Sequence, residues 1–389
     1  MRQMQWTNAM PETNDLTAFS FLTAPAPEDE RWMRRALKNA EKAWRLSPPN
    51  PSVGAVIVRG GEVLGEGFTQ QTGGPHAEVM ALRDAAARGN DVRGAVIYVT
   101  LEPCSHYGRT PPCAKALIEH GLGRVVAAVL DPNPAVAGRG LRMIAEAGIP
   151  VTCGVLEHEA RLANAGFLKR MTKGTPWVRL KVAATLDGRT ALPDGRSFWI
   201  TGEAARRDGQ FWRARSGAVV TGIGTVLADD PQMTVRLSDQ VRFPIRVVVD
   251  AKMETPVAAK ILAGGGTVIV AAEDNPERRA ALEAAGAEVI VLPDAAHPER
   301  VDLGKMLLLL GERAVNDVHL EAGAGLNGAF LAADLVDEIV LYTAPCFFGS
   351  GRPIARLPLP DSPGAAQRWQ IDDTAKFDDD LRLILRRKS

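Results

Sequence analysis

Hydrophobic residues in the first half of the chain recur first at helical spacing and then in short apolar runs. Apolar positions from Trp32 to Trp44 lie three or four residues apart, which predicts a helix that begins near Asp29 and stops before Pro48-Pro49. Two apolar runs then flank Gly60-Gly61 and predict a β-hairpin. Strands and helices alternate as far as residue 167, which predicts a sheet with helices on both faces; its strands are expected at 53–58, 63–68, 95–100, 124–129 and 149–154.

The second half of the chain shows the same kind of alternation, although its sequence does not repeat the first half. It predicts a second α/β sheet with helices at 204–215 and 277–286 and a last strand at 381–386. The other strands are expected at 177–183, 218–222, 245–250, 267–272, 287–292, 314–320 and 337–344. The join at 171–176 is short and turn-rich. We therefore expect a poorly ordered tail (1–28), a first domain (29–172) and a second domain (175–389).

Composition and charge narrow the class of protein. The 389 residues carry 46 basic and 46 acidic side chains, so the net charge gives no sign of a nucleic-acid partner. There is no run of 18 apolar residues, which argues against a transmembrane helix, and the first 28 residues do not have the pattern of a secretory signal. Four cysteines are too few for a disulfide scaffold. These features predict a cytoplasmic protein without nucleic-acid or membrane partners.

The most specific motif combines His76-Ala77-Glu78 with Pro103-Cys104 and Cys113. It is similar to the H-x-E … P-C-x-x-C pattern of cytidine-type deaminases, in which one His and two Cys bind zinc and Glu transfers protons. One imidazole and two thiolates leave the fourth tetrahedral position of zinc free for water, whose pKa falls toward 7. Glu78 lies two residues from His76 at the start of a predicted helix, so both side chains can face the metal. The motif therefore predicts a hydrolytic zinc site.

Several alternatives remain open at this stage. The two cysteines are farther apart than in the generic motif, and His106 in the loop between them is a candidate extra ligand. A purely structural zinc module would leave Glu78 without a role, and a nucleic-acid-editing deaminase would need more positive charge and more aromatic residues. Cys153 and Cys346 lie in apolar segments and are expected in the core. His120, His158, His297 and His319 have no partner in the sequence and are interpreted as structural.

Two further features are candidates for binding phosphate. Arg109 lies in the loop between the cysteines, where its guanidinium could bind a substrate phosphate or simply face solvent. In the second half, residues 221–236 and 321–342 contain glycine-containing turns that follow strands. Backbone N–H groups at such a turn can bind a phosphate, although Gly323, Gly325 and Gly328 are also compatible with an ordinary strand-to-helix turn. Neither run matches a Rossmann fingerprint.

Longer motifs resemble one enzyme family, the bifunctional riboflavin-biosynthesis deaminase/reductases. The resemblance rests on residues 76–78, 100–113 and 131–140 in the first half and on 177–191, 194–202, 228–231 and 321–323 in the second. It extends from about residue 29 to about residue 350. It implies a cytidine-deaminase-like three-layer α/β/α domain with one Zn²⁺ per chain, followed by a dihydrofolate-reductase-like α/β domain that uses NADPH.

The resemblance also implies two consecutive reactions on a small pyrimidine ribotide. The first is hydrolytic deamination of 2,5-diamino-6-ribosylamino-4(3H)-pyrimidinone 5′-phosphate. The second reduces the ribosyl side chain of the product to give 5-amino-6-ribitylamino-uracil 5′-phosphate. A homo-oligomer, either a dimer or a tetramer, is expected as well. An alternative keeps the deaminase active and treats the second domain as a degenerate scaffold.

Roles are carried over from this family residue by residue. His76, Cys104 and Cys113 match the zinc ligands, Glu78 the proton shuttle and Arg109 a contact to the substrate phosphate. The NADPH contacts match Ala183, Trp199, Thr225, Asp229, Gly323, Ala324, Gly325, Leu326, Asn327, Gly328 and Ala329. The substrate contacts of the reductase match Lys181, Ser197, Arg213, Met233, Arg236 and Glu321.

Two points qualify the reductase assignments. The usual Glu-Gly-Gly of the family is Glu321-Ala322-Gly323 in this chain, and an Ala at 322 requires either a negative φ or some backbone strain. Arg196 and Arg206-Arg207 are candidates for binding the 2′-phosphate of NADPH, against the simpler interpretation that they are surface charges.

Overall fold

The computed structural model describes residues 20–105, 111–133, 136–197, 199–238 and 242–387. The chain divides between Gly174 and Thr175 into two compact units, and this division falls in the turn-rich segment 171–176. Each unit contains a sheet with its own apolar core. The α/β fold predicted for both halves is confirmed.

The first unit is built on a five-stranded sheet in the order β2-β1-β3-β4-β5. Strand β1 is antiparallel to both of its neighbours, whereas β3, β4 and β5 are parallel. The elements are α1 (Asp29–Glu41), β1 (Gly54–Arg59), β2 (Glu62–Phe68), α2 (Ala77–Ala87), β3 (Val96–Val99), α3 (Cys113–Glu119), β4 (Arg124–Ala127), α4 (Arg139–Glu146), β5 (Val151–Cys153), α5 (Glu157–Ala163) and α6 (Ala165–Lys173).

Glycines allow α1 and α2 to approach the hairpin strands closely. A Cβ atom at Gly54 would lie 1.9 Å from the Ala36 carbonyl oxygen of α1, and one at Gly67 would lie 2.5 Å from the Ala81 nitrogen of α2. Gly67 is opposite Ala55 in the β1–β2 register, and successive strand residues point to opposite faces. The two helices therefore cover opposite faces of the sheet, as the alternation pattern predicts.

The start of the chain differs in detail from the sequence-based expectation. Helix α1 ends at Glu41, and residues 42–46 form turns in which Ala43 is still fully buried. Of the tail predicted over residues 1–28, residues 20–28 are described. In that part, Thr23 donates its backbone N–H to the Val151 oxygen at 2.7 Å, and its hydroxyl contacts the same oxygen at 3.0 Å. This part of the tail is held against the edge of β5.

The second unit is built on a nine-stranded sheet in the order β11-β10-β9-β8-β12-β6-β13-β16-β15, and β7 pairs separately with β14. The strands from β11 to β13 in that order are parallel, and β16 and β15 are added antiparallel. The elements are β6 (Trp177–Thr185), β7 (Arg189–Ala191), α7 (Glu203–Arg215), β8 (Ala218–Gly222), α8 (Ile223–Asp229), β9 (Ile245–Val249), β10 (Thr267–Ala271), α9 (Pro276–Ala284), β11 (Ala287–Val291), α10 (Leu303–Glu312), β12 (Asp317–Leu320), α11 (Ala324–Ala332), β13 (Glu338–Ala344), β14 (Arg352–Pro353), β15 (Trp369–Phe377) and β16 (Asp380–Arg387).

The side chains of strand β6 alternate between an apolar face of the sheet and a charged face. Val178, Leu180 and Val182 pack in the apolar core, whereas Arg179 and Lys181 alternate with them and lie under α7. The Arg179 guanidinium lies 4.7 Å from the ring of Trp212 in α7 and forms an ion pair with Glu338, with both side chains no more than 4% exposed. A buried charge is tolerated only when it is paired in this way. The buried Arg179 charge is therefore stabilised by its ion pair with Glu338.

The predicted last strand is confirmed as β16, which lies between β13 and β15. Strand β15 is not among the strands that the sequence predicts. Its side chains are mostly exposed, so it lacks the apolar run that marked the other strands. Within the described ranges, no helix is both long enough and apolar enough to cross a membrane.

Replacing Gly54 with alanine is expected to destabilise the first unit. The new methyl group would overlap the Ala36 carbonyl, so α1 would have to move away from β1 at a cost of about 1–3 kcal/mol. Calorimetric unfolding of the full chain measures this change. The control is Gly304→Ala in α10, where the nearest atom to the new Cβ is Asp302 Oδ1 at 3.4 Å and alanine favours the helix by up to about 1 kcal/mol. Similar destabilisation by both variants would contradict the packing argument.

Candidate functional sites

The three predicted metal ligands of the first unit lie together. His76 Nδ1 is 3.3 Å from Cys113 Sγ and 3.6 Å from Cys104 Sγ. Within the described residues this is the one group of three His, Cys or acidic side chains that could hold a metal ion, and its ligand atoms lie within 4.8 Å of one another. Tetrahedral zinc bonded to N and S would hold these atoms about 3.6 Å apart. The spacing fits zinc.

Each ligand is placed by the end of a secondary-structure element. His76 is the N-cap residue of α2, Cys113 is the first residue of α3, and Cys104 lies in the loop that follows β3. The loop is tied to α3 because the Cys113 N–H donates to Cys104 Sγ at 3.3 Å and the Ala114 N–H donates to the Cys104 oxygen at 3.2 Å. The predicted helix starts at His76 and Cys113 are confirmed.

The two thiols behave as a pair that a cation would stabilise. The Cys113 side chain and the His76 imidazole lower the pKa of Cys104 to about 4, whereas the Cys104 sulfur and burial raise the pKa of Cys113. Two adjacent thiolates repel each other, so only one of them forms readily without a counter-charge. A divalent ion between the sulfurs stabilises both thiolates, which is the chemistry of a zinc ligand set.

Glu78 lies beside these ligands in the first turn of α2. Its side chain is 3% exposed, and burial raises the pKa of its carboxyl to about 7. A carboxyl group with a pKa near neutrality can both accept and return a proton, as a general acid–base catalyst must. The position and environment of Glu78 fit a proton shuttle.

The predictions for the loop between the zinc ligands and for the other two cysteines have mixed outcomes. Arg109 and His106 lie outside the described residues. Cys153 is buried as predicted, at 8% exposed. The prediction that Cys346 is a core residue is wrong: it is partly exposed, because the chain leaves the sheet at the end of β13 (Ala344) although the apolar sequence continues.

The candidate nucleotide site of the second unit lies at one edge of its sheet. Strands β8, β12 and β6 are parallel neighbours, so their carboxyl ends meet at the same edge. Helix α8 follows β8 directly, residues 321–323 join β12 to α11, and Ala183 lies near the end of β6. Ligands of open α/β sheets bind in the crevice beyond such strand ends. The topology brings the predicted cofactor segments together.

A network of charged residues lies at this edge. Arg213 in α7 donates to both carboxylate oxygens of Glu321, from Nε to Oε1 and from Nη2 to Oε2, each at 2.9 Å. His319 Nε2 lies 3.0 Å from Glu321 Oε1. Although burial opposes ionisation, the Arg213 and His319 side chains hold the pKa of Glu321 well below its usual range. Burial lowers the pKa of the nearby Lys181, which Glu321 partly offsets. Glu321 therefore forms the centre of the network as a carboxylate.

Arg213 also connects this network to other predicted substrate residues. Its Nη1 donates to the Thr234 oxygen at 2.7 Å, and its Nη2 lies 4.0 Å from Met233 Sδ. Met233 is buried with a positive φ of 51°, while Arg236 is exposed and its backbone N–H donates to Gln210. The Met233–Arg236 segment is thus held next to α7.

The remaining predicted contacts are more exposed. Ser197 is exposed, and Trp199 is 59% exposed, with the Arg206 guanidinium 4.4 Å from its ring. Thr225 and Asp229 lie on α8, the latter at its last position. Arg206 therefore stacks on Trp199 and is not an isolated surface charge.

The predicted phosphate turn contains two kinds of residue. Gly323 is the N-cap of α11 with a negative φ of −76° and no side-chain cap, and a Cβ at Gly323 or Gly325 would meet no atom within 4 Å. By contrast, Asn327 is 2% exposed and a Cβ at Gly328 would lie 2.0 Å from the Arg356 oxygen. The first turn of α11 thus offers open backbone N–H groups, which fit a phosphate of NADPH. Ala322 is not in the left-handed region, so the departure from Glu-Gly-Gly introduces no strain there.

Sequence reasoning assigned no role to His319, which the structure places in the Glu321 network. The His319 side chain is fully buried. Because His319 pairs with Arg179 in the β12–β6 register, it lies on the same face of the sheet as Arg179 and Lys181. The sequence does hold one signal: His319 and Glu321 lie two residues apart, so in an extended chain their side chains point to the same face of the sheet. The histidine gives no signal by itself, because its partners Arg213 and Glu321 come together only in the fold.

Comparison with known families matches both units. The sequence model of the family described as "Cytidine and deoxycytidylate deaminase zinc-binding region" matches residues 26–129. The model of the "RibD C-terminal domain" matches residues 176–383. The two matches lie on either side of the division between the units.

Similar proteins cover nearly the whole chain. The riboflavin biosynthesis protein RibD of Escherichia coli (strain K12) is 45% identical over 376 residues, which cover 92% of this chain and 99% of that protein. A solved structure of Acinetobacter baumannii RibD has a TM-score of 0.83 at 42% identity, covering 93% of this chain and 99% of that one. The structure of a diaminohydroxyphosphoribosylaminopyrimidine deaminase/5-amino-6-(5-phosphoribosylamino)uracil reductase from Thermotoga maritima has a TM-score of 0.81 at 33% identity, covering 92% and 99%.

Replacing Cys104 with serine is expected to lower bound zinc well below one ion per chain. The substitution removes one of two thiolates, and a serine hydroxyl is a poor zinc ligand at neutral pH. Metal analysis of the purified protein measures the change. Cys346→Ser is the matched control, since Cys346 lies outside the ligand group and its loss should leave the zinc content unchanged. Full zinc occupancy in the Cys104→Ser protein would contradict the ligand assignment.

Proposed function

The chain belongs to the RibD family of bifunctional riboflavin-biosynthesis enzymes. From this membership we propose which residues form each of its two active sites and what each residue does there. The resemblance that the sequence motifs predicted is confirmed. The first unit is a deaminase with a zinc-binding region, and the second is a reductase that uses NADPH.

The two units catalyse consecutive reactions on one pyrimidine ribotide. The deaminase removes an amino group hydrolytically from 2,5-diamino-6-ribosylamino-4(3H)-pyrimidinone 5′-phosphate. The reductase then converts the ribosyl side chain of the product to ribityl, which gives 5-amino-6-ribitylamino-uracil 5′-phosphate.

We assign the zinc ligands to His76, Cys104 and Cys113. When bound, zinc supplies Lewis acidity that lowers the pKa of a water at its fourth position toward 7. Support comes from the spacing of 3.3 Å and 3.6 Å between His76 Nδ1 and the two sulfurs. The helix starts at α2 and α3 favour the thiolate forms. This ligand cluster is the observation on which the deaminase assignment rests.

Glu78 is assigned the proton transfers of the deamination. Its carboxylate takes a proton from the attacking water and gives it to the pyrimidine ring nitrogen; it then takes the remaining proton of the added oxygen and gives it to the departing amino group. Burial supports this role, since a pKa of about 7 lets the group exist in both forms at neutral pH. Arg109 is proposed to bind the substrate phosphate through its guanidinium; this rests on the family resemblance of residues 100–113.

The reductase assignment centres on Lys181 and Glu321. NADPH, when bound, supplies the hydride. Opening a cyclic ribosyl group to ribityl breaks the C1′–O4′ bond, adds the hydride at C1′ and requires a proton at O4′. Lys181 is proposed to donate that proton, and its lowered pKa makes its ammonium a stronger acid. Glu321 and Arg213, paired in advance, are proposed to bind the substrate, as are Ser197, Met233 and Arg236.

Residues at the carboxyl edge of the second sheet are proposed to bind NADPH. The open N–H groups of the first turn of α11 suit a phosphate, and Trp199 offers an exposed ring for stacking. Thr225 and Asp229 on α8 and Ala183 on β6 are proposed to complete the site. Within the run from Gly323 to Ala329, we expect the exposed members to contact the cofactor and the buried Asn327 and Gly328 to support the turn from behind.

Two properties of the whole protein are also proposed. We expect it to work in the cytoplasm, which agrees with four unpaired cysteines, two of them assigned as zinc ligands. We expect it to form a dimer or a tetramer. In support, β15 is the outer strand of the described sheet, and the unpaired backbone groups of such a strand can pair with another chain. Light scattering coupled to size exclusion would measure the mass.

The overall function is tested by supplying the diaminopyrimidine ribotide to zinc-loaded protein with and without NADPH. Ammonia release and the absorbance of reduced nicotinamide are followed together. We expect ammonia in both samples and NADPH consumption only after deamination. Ammonia without NADPH oxidation would favour the alternative of a degenerate second domain, and the absence of both signals would contradict the assignment of both activities.

Replacing Glu78 with glutamine is expected to remove deamination and spare reduction. The amide cannot carry the proton, so ammonia release should fall by about 10²–10⁴-fold. Zinc content should stay at one ion per chain because Glu78 is not a ligand. Reductase activity, measured with the deaminated intermediate supplied directly, should match that of the unmodified protein. Undiminished ammonia release would exclude Glu78 as the proton shuttle.

Replacing Lys181 with methionine should have the opposite effect. The methionine keeps an unbranched chain without a proton to donate, so NADPH oxidation with the deaminated intermediate should fall by about 10²–10⁴-fold. Ammonia release and zinc content should be unchanged. Lys376→Met on β15 is the control, since that side chain is exposed and should affect neither reaction. Retention of reduction in the Lys181→Met protein would rule out its assignment as proton donor.

A further inference from the structure

Two motifs of the first unit, residues 100–113 and 131–140, are joined by a carboxylate that the roles above do not use. Glu102 lies in the loop between β3 and Cys104 and is 4% exposed. Its Oε2 accepts the N–H groups of Asp131 at 3.1 Å and Gly138 at 2.8 Å. Its Oε1 accepts those of Gly140 at 2.8 Å and Leu141 at 3.4 Å. One buried side chain thus organises the backbone of a separate segment.

The contacts have the character of a helix cap supplied from a distant part of the sequence. Helix α4 begins at Arg139, and its N-cap residue, Gly138, has no side chain to accept the free N–H groups of the first turn. Glu102 accepts them instead, and a carboxylate at a helix N-terminus is also favoured by the helix dipole. The Glu102 side chain thus replaces the cap that Gly138 cannot provide.

The capped segment lies directly against the zinc-ligand loop. A Cβ atom at Gly140 would lie 1.8 Å from the oxygen of Pro103, the residue before Cys104. Strands β3 and β4 are parallel, so the loops that follow them leave the sheet at the same edge, where ligands of α/β domains bind. The residues that follow β4, including the buried Asp131, therefore border the deaminase site.

We propose that Glu102 is a positioning residue of the deaminase. By accepting four backbone N–H groups, it fixes residues 131–133 and 136–141 against the ligand loop and so sets the shape of the pocket that receives the pyrimidine. It does not contact zinc, and it carries no proton in the reaction. This inference rests on the deaminase function proposed above, because it assigns a residue to the substrate pocket of that same site.

Glu102→Gln tests the proposal with little change in side-chain volume. The amide replaces one acceptor oxygen with a donor, which would face two backbone N–H groups and leave them unsatisfied in a buried site. We expect the KM for the ribotide in ammonia release to rise about tenfold or more, while kcat changes less. Zinc content, the absorption spectrum of the Co²⁺-substituted protein and reductase activity should be unchanged, because the ligands and the second unit are not altered.

A matched control and a second variant separate this effect from loss of folding. Glu119→Gln in α3 removes an exposed carboxylate whose contact is Lys115 at 3.7 Å, and it should leave KM unchanged. Gly138→Ala leaves Glu102 intact but strains a backbone with φ of 82°, so it displaces the same N–H groups from the other side. We expect this variant, too, to raise KM with zinc retained.

Three outcomes would overturn the proposal. A KM within about twofold of the unmodified protein in both Glu102→Gln and Gly138→Ala would show that the segment does not shape the pocket. A lower kcat with unchanged KM and a lower unfolding temperature would indicate only a structural role. Loss of zinc or an altered Co²⁺ spectrum in Glu102→Gln would indicate an effect on the metal. If the unmodified protein releases no ammonia at all, the deaminase function itself fails, which distinguishes that failure from the others.

Discussion

Parallel strands bring their carboxyl ends to one edge of a sheet, and both units of this enzyme place their chemistry at such an edge. In the first unit, the loop after β3 carries Cys104 and the loop after β4 lies against it. In the second, β8, β12 and β6 end side by side, so Glu321 and the first turn of α11 lie near the end of the strand that carries Lys181 and Ala183. Residues far apart in the sequence become neighbours because sheet pairing fixes where each strand ends.

The two sites differ in how they accommodate buried charge. The deaminase site gathers two thiols and an imidazole whose charges favour a divalent ion, so its electrostatics are completed by the metal. The proposed reductase site is balanced by its own side chains, since Arg213 binds both oxygens of Glu321 and His319 lies beside them. Groups paired in advance need little rearrangement when charge develops in a reaction, which is the basis of electrostatic preorganisation.

The sequence predicted the parts of this molecule that depend on local signals. The Gly60-Gly61 hairpin, the helix starts at His76 and Cys113 and most of the strands followed from residue type and periodicity. It overextended α1 to Trp44, because Ala43 and Trp44 continue the apolar spacing although the chain already turns. It assigned Cys346 to the core, overlooked β15, and found no role for His319 or Glu102. Their environments are created by residues distant in the chain, such as Arg179 beside His319 and Gly138 beside Glu102, and no local pattern carries that information.

The turn that precedes and begins α11 combines two kinds of constraint in one short run of small residues. Gly323 and Gly325 face open space, whereas Gly328 touches the backbone at Arg356 and Asn327 donates to the Ile354 oxygen at 2.9 Å. A glycine in this run is therefore not by itself a signature of nucleotide binding, because at position 328 it is demanded by chain packing. Efforts to redesign coenzyme preference have sequence freedom at the open positions of this turn and none at Gly328, where any side chain would push the 354–356 segment off the helix.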